Sequence, residues 1–600
     1  MLRARIEHVL LGTLAGAAGW SLTDWVPDLL AGGDLAARMA LVTSVLAFSF
    51  FTAALVMLSQ VGLWRALVAS GLLAALVAAL AAVASLRFDT VGGFLDSGHH
   101  FMALFVLMTL PVPFLMGWGQ GQGWRAYPAL FVNAWSIVVR YAAAWLFTGV
   151  VWGVLWLSAL MLNLVGIGLL EQALTSEGVA WLLTGAALGL ALAVVAEMSD
   201  LISPYLVLRL FRLLLPVVLV VIAVFVLALP LRGLNGLFGH ISAASMLLSA
   251  ALGAISLISI AVDQRDSDAA QGRIMRHSAQ ALALLVPVLA GLAVWAVGLR
   301  VAQYGWTPER VSAMALSGIT LGYGLGYAGA VLSGSGWMRR IRSVNLGLAW
   351  AVLALAALWL TVISPEKIAV KSQLARFETG RLRADALPLW ELAHDWGRAG
   401  AAGLAQLRVA AEATGQEDLA ARLTLLDDSS NAWSFNQSRW DADDARRVVA
   451  LAADVPVLPA DARVEEALFT SLGESVVNDI LAACARRTPQ EHPGCLLVLA
   501  DLLPGQNQGS ALLFTWDGRA QAGAGIRTLT KTDDSWSLDW AAPRVAGPET
   551  QGAEAGPGGR NLGDLPGAAL IDQLWSDGVR LVPTGDQALA IGSQRIVIKP

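Results

Sequence analysis

The sequence has little charge: Asp, Glu, Lys and Arg make up 14% of its 600 residues, against 56% hydrophobic ones. Soluble globular chains carry nearer a quarter charged residues, so most of this chain is not built to be solvated by water. The deficit is regional. No lysine occurs between Val9 and Ile363, and acidic residues there fall in the breaks between apolar runs. From Glu366 onward Asp, Glu, Arg and Gln return at ordinary frequency. Net charge is only −5 and there is no basic stripe, which excludes nucleic acid as a partner. Ionisable residues are nearly missing from the middles of the apolar runs, where ion pathways and proton relays need them, so an ion-coupled transporter is disfavoured. Catalytic signatures are scarce as well. Ser364 and Lys367 fit an SxxK spacing, but neither SDN nor KTG accompanies them. No motif calls for a cofactor.

What the chain has instead is long apolar runs. A spanning helix takes roughly 20 mostly apolar residues. By that measure there are about eleven candidates: Val9–Val26, Met39–Leu58, Leu67–Leu86, Phe101–Trp118, Tyr141–Leu164, Val179–Ala196, Leu213–Leu231, Ile241–Val262, Ala279–Val301, Val311–Leu332 and Val344–Ile363. Arg3 and Arg5 before the first run give it the shape of a secretory signal, but further runs follow at once, and it reads as an uncleaved span. The amphipathic segment Ala126–Arg140 reads as an interfacial helix leading into the fifth span. The expected fold is a polytopic α-helical membrane bundle followed by a soluble α+β domain, with the lipid bilayer as first partner. Its expected divisions are 1–364 for the membrane domain, 365–487 for a helical subdomain, and 488–600 for a β-rich one with a flexible insertion at 547–567.

The last run is the pivot of this organisation. Arg339, Arg340 and Arg342 precede it and Ser364-Pro365-Glu366-Lys367 follows. Cytoplasmic loops carry the excess of basic residues. With the N terminus inside, Arg3, Arg5, Arg65, Arg125, Arg140, Arg209, Arg212, Arg265, Arg273, Arg276, Arg339, Arg340 and Arg342 fall inside, against Arg38, Arg87, Arg232, Arg300 and Arg310 outside. An odd span count then puts the C-terminal domain outside the cytoplasm, in a bacterial periplasm. The only cysteines, Cys484 and Cys495, belong to that exported part, where disulfides persist, and a bridge between them would close a short loop.

Within the bundle, Gly318, Gly322 and Gly326 form a GxxxGxxxG stripe, and Gly12/Gly16, Gly149/Gly153 and Gly185/Gly189 repeat the spacing. Small residues every fourth position let helix backbones approach closely. Tyr323 and Tyr327 share another face and read as packing. Pro216 and Pro287 lie inside spans as potential kinks. Glu197, Asp200, Arg209 and Arg212 bracket one inside break as a candidate polar cluster, although snorkelling accounts for them as well. His99 and His100 sit in an outside loop with Asp89 and Asp96; without a third ligand at defined spacing they read as a solvated loop rather than a metal site. Glu391 and His394 share a helical face with no second histidine to complete a zinc motif.

Four stretches carry a resemblance. They are Leu206–Gly233, Tyr304–Tyr327 with its YGWTPER opening, Ile363–Arg381 and Leu389–Arg398. Together they resemble the bacterial polytopic membrane proteins grouped as domain-of-unknown-function family 4153. The resemblance implies an inner-membrane protein of uncharacterised activity and assigns no catalytic residues. Read physically, Thr307-Pro308-Glu309 and Ser364-Pro365-Glu366 each set a hydroxyl before a proline and an acid, which is a helix start.

Glu366–Arg487 has helical periodicity, broken near Gly400, Gly415 and Asp427–Ser438. From Cys495 the pattern turns to short strands: Leu496–Ala500, Ala511–Trp516, Ile526–Thr530, Ser535–Trp540, Val579–Val582 and Arg595–Ile598. Two functions remain open. One is an anchor presenting an exported domain to an envelope protein or ligand; the other is a permease or lipid-handling protein whose bundle does the work.

Overall fold

A computed structural model of the chain describes residues 2–198, 204–232, 243–412, 416–436, 451, 455–459, 462, 464–465, 468–469, 472, 474–500, 510–518, 525–532, 535–539, 544–546, 567–577, 580–584, 586–591 and 594–597. Asp200, and all of the expected insertion except Gly567, lie outside the described residues. The chain divides into two compact units, Met1–Leu423 and Thr424–Pro600.

The first unit is built from helices: α1 (Leu2–Ala31), α2 (Asp34–Val61), α3 (Leu63–Ser85), α4 (Val91–Asp96), α5 (His99–Thr109), α6 (Val112–Gly119), α7 (Tyr127–Leu164), α8 (Leu169–Thr175), α9 (Glu177–Glu197), α10 (Pro204–Leu213), α11 (Leu215–Arg232), α12 (Ala243–Val262), α13 (Arg273–Tyr304), α14 (Pro308–Leu332), α15 (Trp337–Thr361), α16 (Pro365–Glu378), α17 (Leu389–His394) and α18 (Gly397–Ala411). A further helix, α19 (Glu417–Asp428), runs across the division between the units. Among the described residues, 10 helical stretches are long and apolar enough to cross a membrane. They are α2, α3, α5 with α6, α7, α9, α10 with α11, α12, α13, α14 and α15. Leu146, Leu157, Val220 and Leu227 stand exposed on their outer surface, an apolar exterior suited to hydrocarbon rather than water.

The ten differ from the expected eleven at the N terminus. Val9–Val26 lies within α1, where glycines, Trp20, Asp24 and Trp25 dilute the apolar run. Other expected boundaries shift where proline dictates. The span Phe101–Trp118 is two helices, with the break at Leu110-Pro111. Pro216 starts α11 instead of kinking a span, and the chain breaks at Leu214. Ala126–Arg140 is not a separate interfacial helix: Pro128 lies in the first turn of α7, no breaker follows, and the helix runs unbroken for 38 residues.

The glycine pairs divide by what they meet. Gly12 and Gly16 of α1 lie against Gly185 and Trp181 of α9, so closely that a Cβ on Gly12, Gly16, Gly185 or Gly189 would collide with backbone of the other helix. Two small-xxx-small faces are here pressed together. The stripe Gly318/Gly322/Gly326 does not act as one face. A Cβ on Gly318 would meet nothing within 4 Å, one on Gly322 only Leu348 at 3.7 Å, and one on Gly326 would press on Val344 at 2.7 Å. The close approach of α14 is made by Gly324, where a Cβ would lie 2.8 Å from Pro287 of α13. Proline frees a carbonyl and thickens the helix at that level, and glycine opposite it leaves room.

The first unit continues past the expected boundary at residue 364 because α16 is tied down. Gln373 donates to the carbonyls of Tyr304 and Trp306 (3.1 and 2.8 Å), and Arg376 to those of Ala302 and Gln303 (3.1 and 2.6 Å). These acceptors lie at and just beyond the end of α13, whose last carbonyls have no intrahelical partner. Farther on, the Arg398 amide donates to Arg87 O at 2.9 Å.

In the second unit, β1 (Val457–Leu458), β2 (Cys495–Leu499), β3 (Ser510–Thr515), β4 (Gly525–Thr532) and β5 (Ser535–Asp539) form one sheet in that order, with only β1–β2 parallel. Its central strands β2 and β3 are apolar on both faces because both are covered. The helix Glu474–Cys484 sets Val476, Val477 and Ile480 against Leu497, Ala511, Leu513 and Leu529. The helix Gly567–Asp577 sets Leu570, Ile571 and Leu574 against Leu496, Val498, Leu512 and Phe514. A second, antiparallel sheet has β6 (Arg544–Ala546), β9 (Gln594–Val597), β8 (Asp586–Ile591) and β7 (Arg580–Thr584) in that order.

Replacing Gly185 by alanine should lower unfolding stability in detergent by roughly 1–3 kcal/mol, the usual cost of overpacking. Gly149→Ala, where a Cβ meets nothing within 4 Å, should leave the thermal midpoint unchanged. Equal effects of the two substitutions would remove the close packing of α1 on α9 from the account.

Candidate functional site

Three places in the first unit gather groups that carry chemistry. The first surrounds Glu366. Ser364 caps α16, its hydroxyl accepting from the Lys367 amide at 3.3 Å and donating to Glu366 Oε2 at 2.8 Å. This is the expected helix start, and it occupies the SxxK serine while Lys367 stands exposed. The other carboxylate oxygen, Oε1, faces His99 Nε2 at 3.1 Å and His100 Nε2 at 3.7 Å. All three side chains are more than nine-tenths buried. The solvated loop expected for these histidines is therefore a buried cluster. Asp89 instead pairs with Arg398 at 3.1 Å, and Asp96 stays exposed; the carboxylate comes from beyond the last span.

The surroundings fix the rings. Trp359 Nε1 donates to His99 Nδ1 at 3.2 Å, and Ser97 Oγ meets His100 Nδ1 at 2.8 Å. Phe88 and Phe94 pack on His100. Arg87 donates to Ile363 O at 2.7 Å, and burial pushes its guanidinium pKa down, partly offset by Glu366. Burial pushes the Glu366 carboxyl up, but the His99 ring and the Ser364 hydroxyl outweigh it and hold the pKa at about 2. At neutral pH the cluster therefore contains a carboxylate.

The second place is the end of the bundle that carries Arg212 and Arg342, where the expected polar cluster is divided. Glu197 pairs with Arg5 of α1 at 2.5 Å, whereas Arg212 pairs with the buried Asp263. Arg209 lines a polar cavity of about 570 Å³ beside Arg212, Asp263, Gln264 and Asp268. The organiser is Arg342, which donates to Asp263 O at 2.9 Å, Val262 O at 2.7 Å and Asp266 Oδ1 at 2.6 Å. Arg212 adds bonds to Ile260 O and Asp268 O. Two arginines thus cover carbonyls at the end of α12, where a helix leaves its last acceptors open and its dipole negative. Nearby, Tyr327 is fully buried and donates to Asn345 at 2.5 Å, and Asn345 donates to Tyr127 and Ser259. The packing expected of Tyr323 and Tyr327 is present as an edge contact with ring centroids 5.9 Å apart.

The third is a cavity of about 1120 Å³, open at the surface between α2, α3, α5, α6 and α15. Leu72, Leu76, Leu107, Phe114 and Leu353 make its walls apolar. Polar groups occur at one end, where Arg65 donates to Gly119 O at 2.9 Å beside Gln120, Trp64 and Trp118.

In the second unit Cys484 and Cys495 form a disulfide with Cα atoms 4.7 Å apart. The loop it closes is further held by His492, whose Nδ1 lies 2.9 Å from the buried Asp572 and whose ring stacks on Trp575. Thr488 donates to the same carboxylate, not to the histidine, so the trio lacks the nucleophile–base bond of an acyl-transfer triad. His394, in the first unit, stacks on Trp390 with centroids 3.8 Å apart.

Compared with protein families, with curated proteins and with solved structures, the chain has no match.

Arg342→Ala should cost about 1–3 kcal/mol, because it leaves the buried carbonyls of Val262 and Asp263 without their donor. Arg339→Ala, at an exposed neighbour, should stay within about 0.5 kcal/mol of the parent. Denaturant unfolding in detergent checks both; a near-neutral Arg342→Ala would mean water covers those carbonyls as well as arginine does.

Proposed function

We propose that this is a multi-pass protein of a bacterial inner membrane that handles an anionic phospholipid in the cavity between α3, α6 and α15. The observation that carries this reading is the cavity's one-ended polarity. Its volume of about 1120 Å³ lies at the upper end of the range for small-ligand pockets, roughly 300–1,000 Å³. Acyl chains match walls of leucine, valine and phenylalanine. A phosphate matches Arg65, the lone cation among the lining residues. Basic pockets between spans on the cytoplasmic side are where anionic headgroups bind, and exposed Trp64 and Trp118 flank this one as interfacial anchors do.

The same proposal counts α1 as an eleventh span beside the ten apolar stretches, because it lies along α9 from Arg5 at Glu197 to Trp20 at Gly178, and so sets the N terminus inside and the unit Thr424–Pro600 in the periplasm. Two features support that orientation: the arginine excess on one set of breaks, and a disulfide, which an oxidising compartment preserves. There the unit is available to an envelope protein or ligand. The resemblance to family 4153 belongs with this reading, since it implies the same membrane and assigns no residue a role.

Retention of lipid by the purified protein, read by native mass spectrometry, tests the function. The parent should keep an anionic phospholipid in preference to a zwitterionic one. Arg65→Gln should cut the preference at least fivefold, and Ala354→Phe, which fills the cavity from an exposed lining position, should reduce retention of both. Indiscriminate retention, unchanged by either substitution, would dispose of the proposal. A reporter active only outside the cytoplasm, fused after residue 600, tests the orientation and should be active.

A further inference from the structure

We propose that His99, His100 and Glu366 bind a transition-metal dication of the zinc class at the junction between α5 and α16. The site is independent of the lipid cavity. Three observations carry it.

The donor set and its spacing come first. His99, His100 and Glu366 each offer one donor atom, and the three lie within 4.8 Å of one another. Bonds of about 2.0–2.1 Å in a tetrahedral arrangement place neighbouring donor atoms about 3.3 Å apart. The carboxylate oxygen is 3.1 Å from one nitrogen and 3.7 Å from the other, so closure around an ion needs adjustments of only tenths of an ångström at these two edges. Two imidazoles and a carboxylate leave a fourth position open, as in catalytic zinc sites.

Second, His99 Nε2, His100 Nε2 and Glu366 Oε1 are buried and none has an aligned hydrogen-bond partner among the described residues. Burying three such groups with only one another at 3.1 and 3.7 Å is costly, and each such group in a native structure calls for an explanation. A cation satisfies all three at once. Arg87 Nη2, also buried and unaligned with any acceptor, suits an anionic fourth ligand such as chloride or hydroxide.

Third, the supporting bonds leave the right atoms free. Ser97 Oγ donates to Phe94 O at 2.7 Å, so it accepts from His100 Nδ1 and leaves the lone pair of His100 on Nε2. Ser364 holds Glu366 Oε2 and leaves Oε1 for the ion. His99 differs. The indole N–H of Trp359 can only donate, so in the metal-free protein His99 Nδ1 accepts and Nε2 carries the proton. Metal binding at Nε2 moves that proton to Nδ1, with no net release, and Trp359 loses its acceptor. Trp359 therefore opposes binding.

The test is titration of full-length protein, purified in detergent and stripped with chelator, using Co²⁺ read by its ligand-field absorption and Zn²⁺ in competition. One ion per chain is expected, with the visible bands of a tetrahedral site. His100→Ala and Glu366→Gln should weaken binding at least 100-fold, and Ser97→Ala about tenfold. Trp359→Phe, which removes the opposing donor, should tighten it. The last two variants keep the test decisive if a ligand substitution prevents folding. No stoichiometric Co²⁺ binding by the parent, or binding indifferent to Ser97→Ala and Trp359→Phe, overturns the proposal.

Discussion

Hydrocarbon offers no hydrogen bonds, so every polar group that a membrane helix buries must be met by another group of the protein. Much of the first unit follows from that constraint. The carbonyls closing α12 are met by guanidinium groups from α10 and α15, those at the end of α13 by Gln373 and Arg376, and Ile363 O by Arg87. In each case a long side chain from elsewhere in the sequence covers a helix end. The helices are thereby joined by their termini as well as by their apolar faces, and α16, which is not apolar, is held to the bundle in the same way.

This explains which parts of the fold are legible in the sequence and which are not. A 20-residue apolar run is a local signal, and ten stretches of that kind are helices in the structure. Proline is also local, and its effects at Pro111, Pro216 and Pro308 follow from its missing N–H. Cys484 and Cys495 are close in sequence and bonded. Partner choice is not local. The four-residue glycine spacing occurs in several helices, and nothing in it tells that Gly12 meets Gly185 while Gly149 meets nothing. Gly324 lies outside the stripe and was hidden by it. Arg342 sits in a basic triplet that reads as a topological signal, yet it is buried and structural.

The cluster around Glu366 shows the same limit most clearly. His99 and His100 carry a local pattern, two adjacent histidines near Asp89 and Asp96, and that pattern suggests the wrong carboxylates. The group that joins them comes from the first turn of α16, and Trp359, which orients His99, precedes it on the last span. One signal was available: Glu366 follows a serine and a proline, which fixes it in the first turn of a helix leaving the membrane. Its direction, inward, depends on how α16 is tied to α13.

The contact between α1 and α9 sets a schedule for synthesis. The backbones meet through Gly12 and Gly185, far apart on the chain. At roughly 5–20 residues per second for ribosomal elongation, α1 waits on the order of 10–35 s before its partner is made. Through that interval its glycine groove, shaped for another helix, is open to lipid or to whatever insertion machinery holds nascent spans. Helix α1 meets α2 as soon as that helix is made, but its glycine face is filled only when α9 arrives.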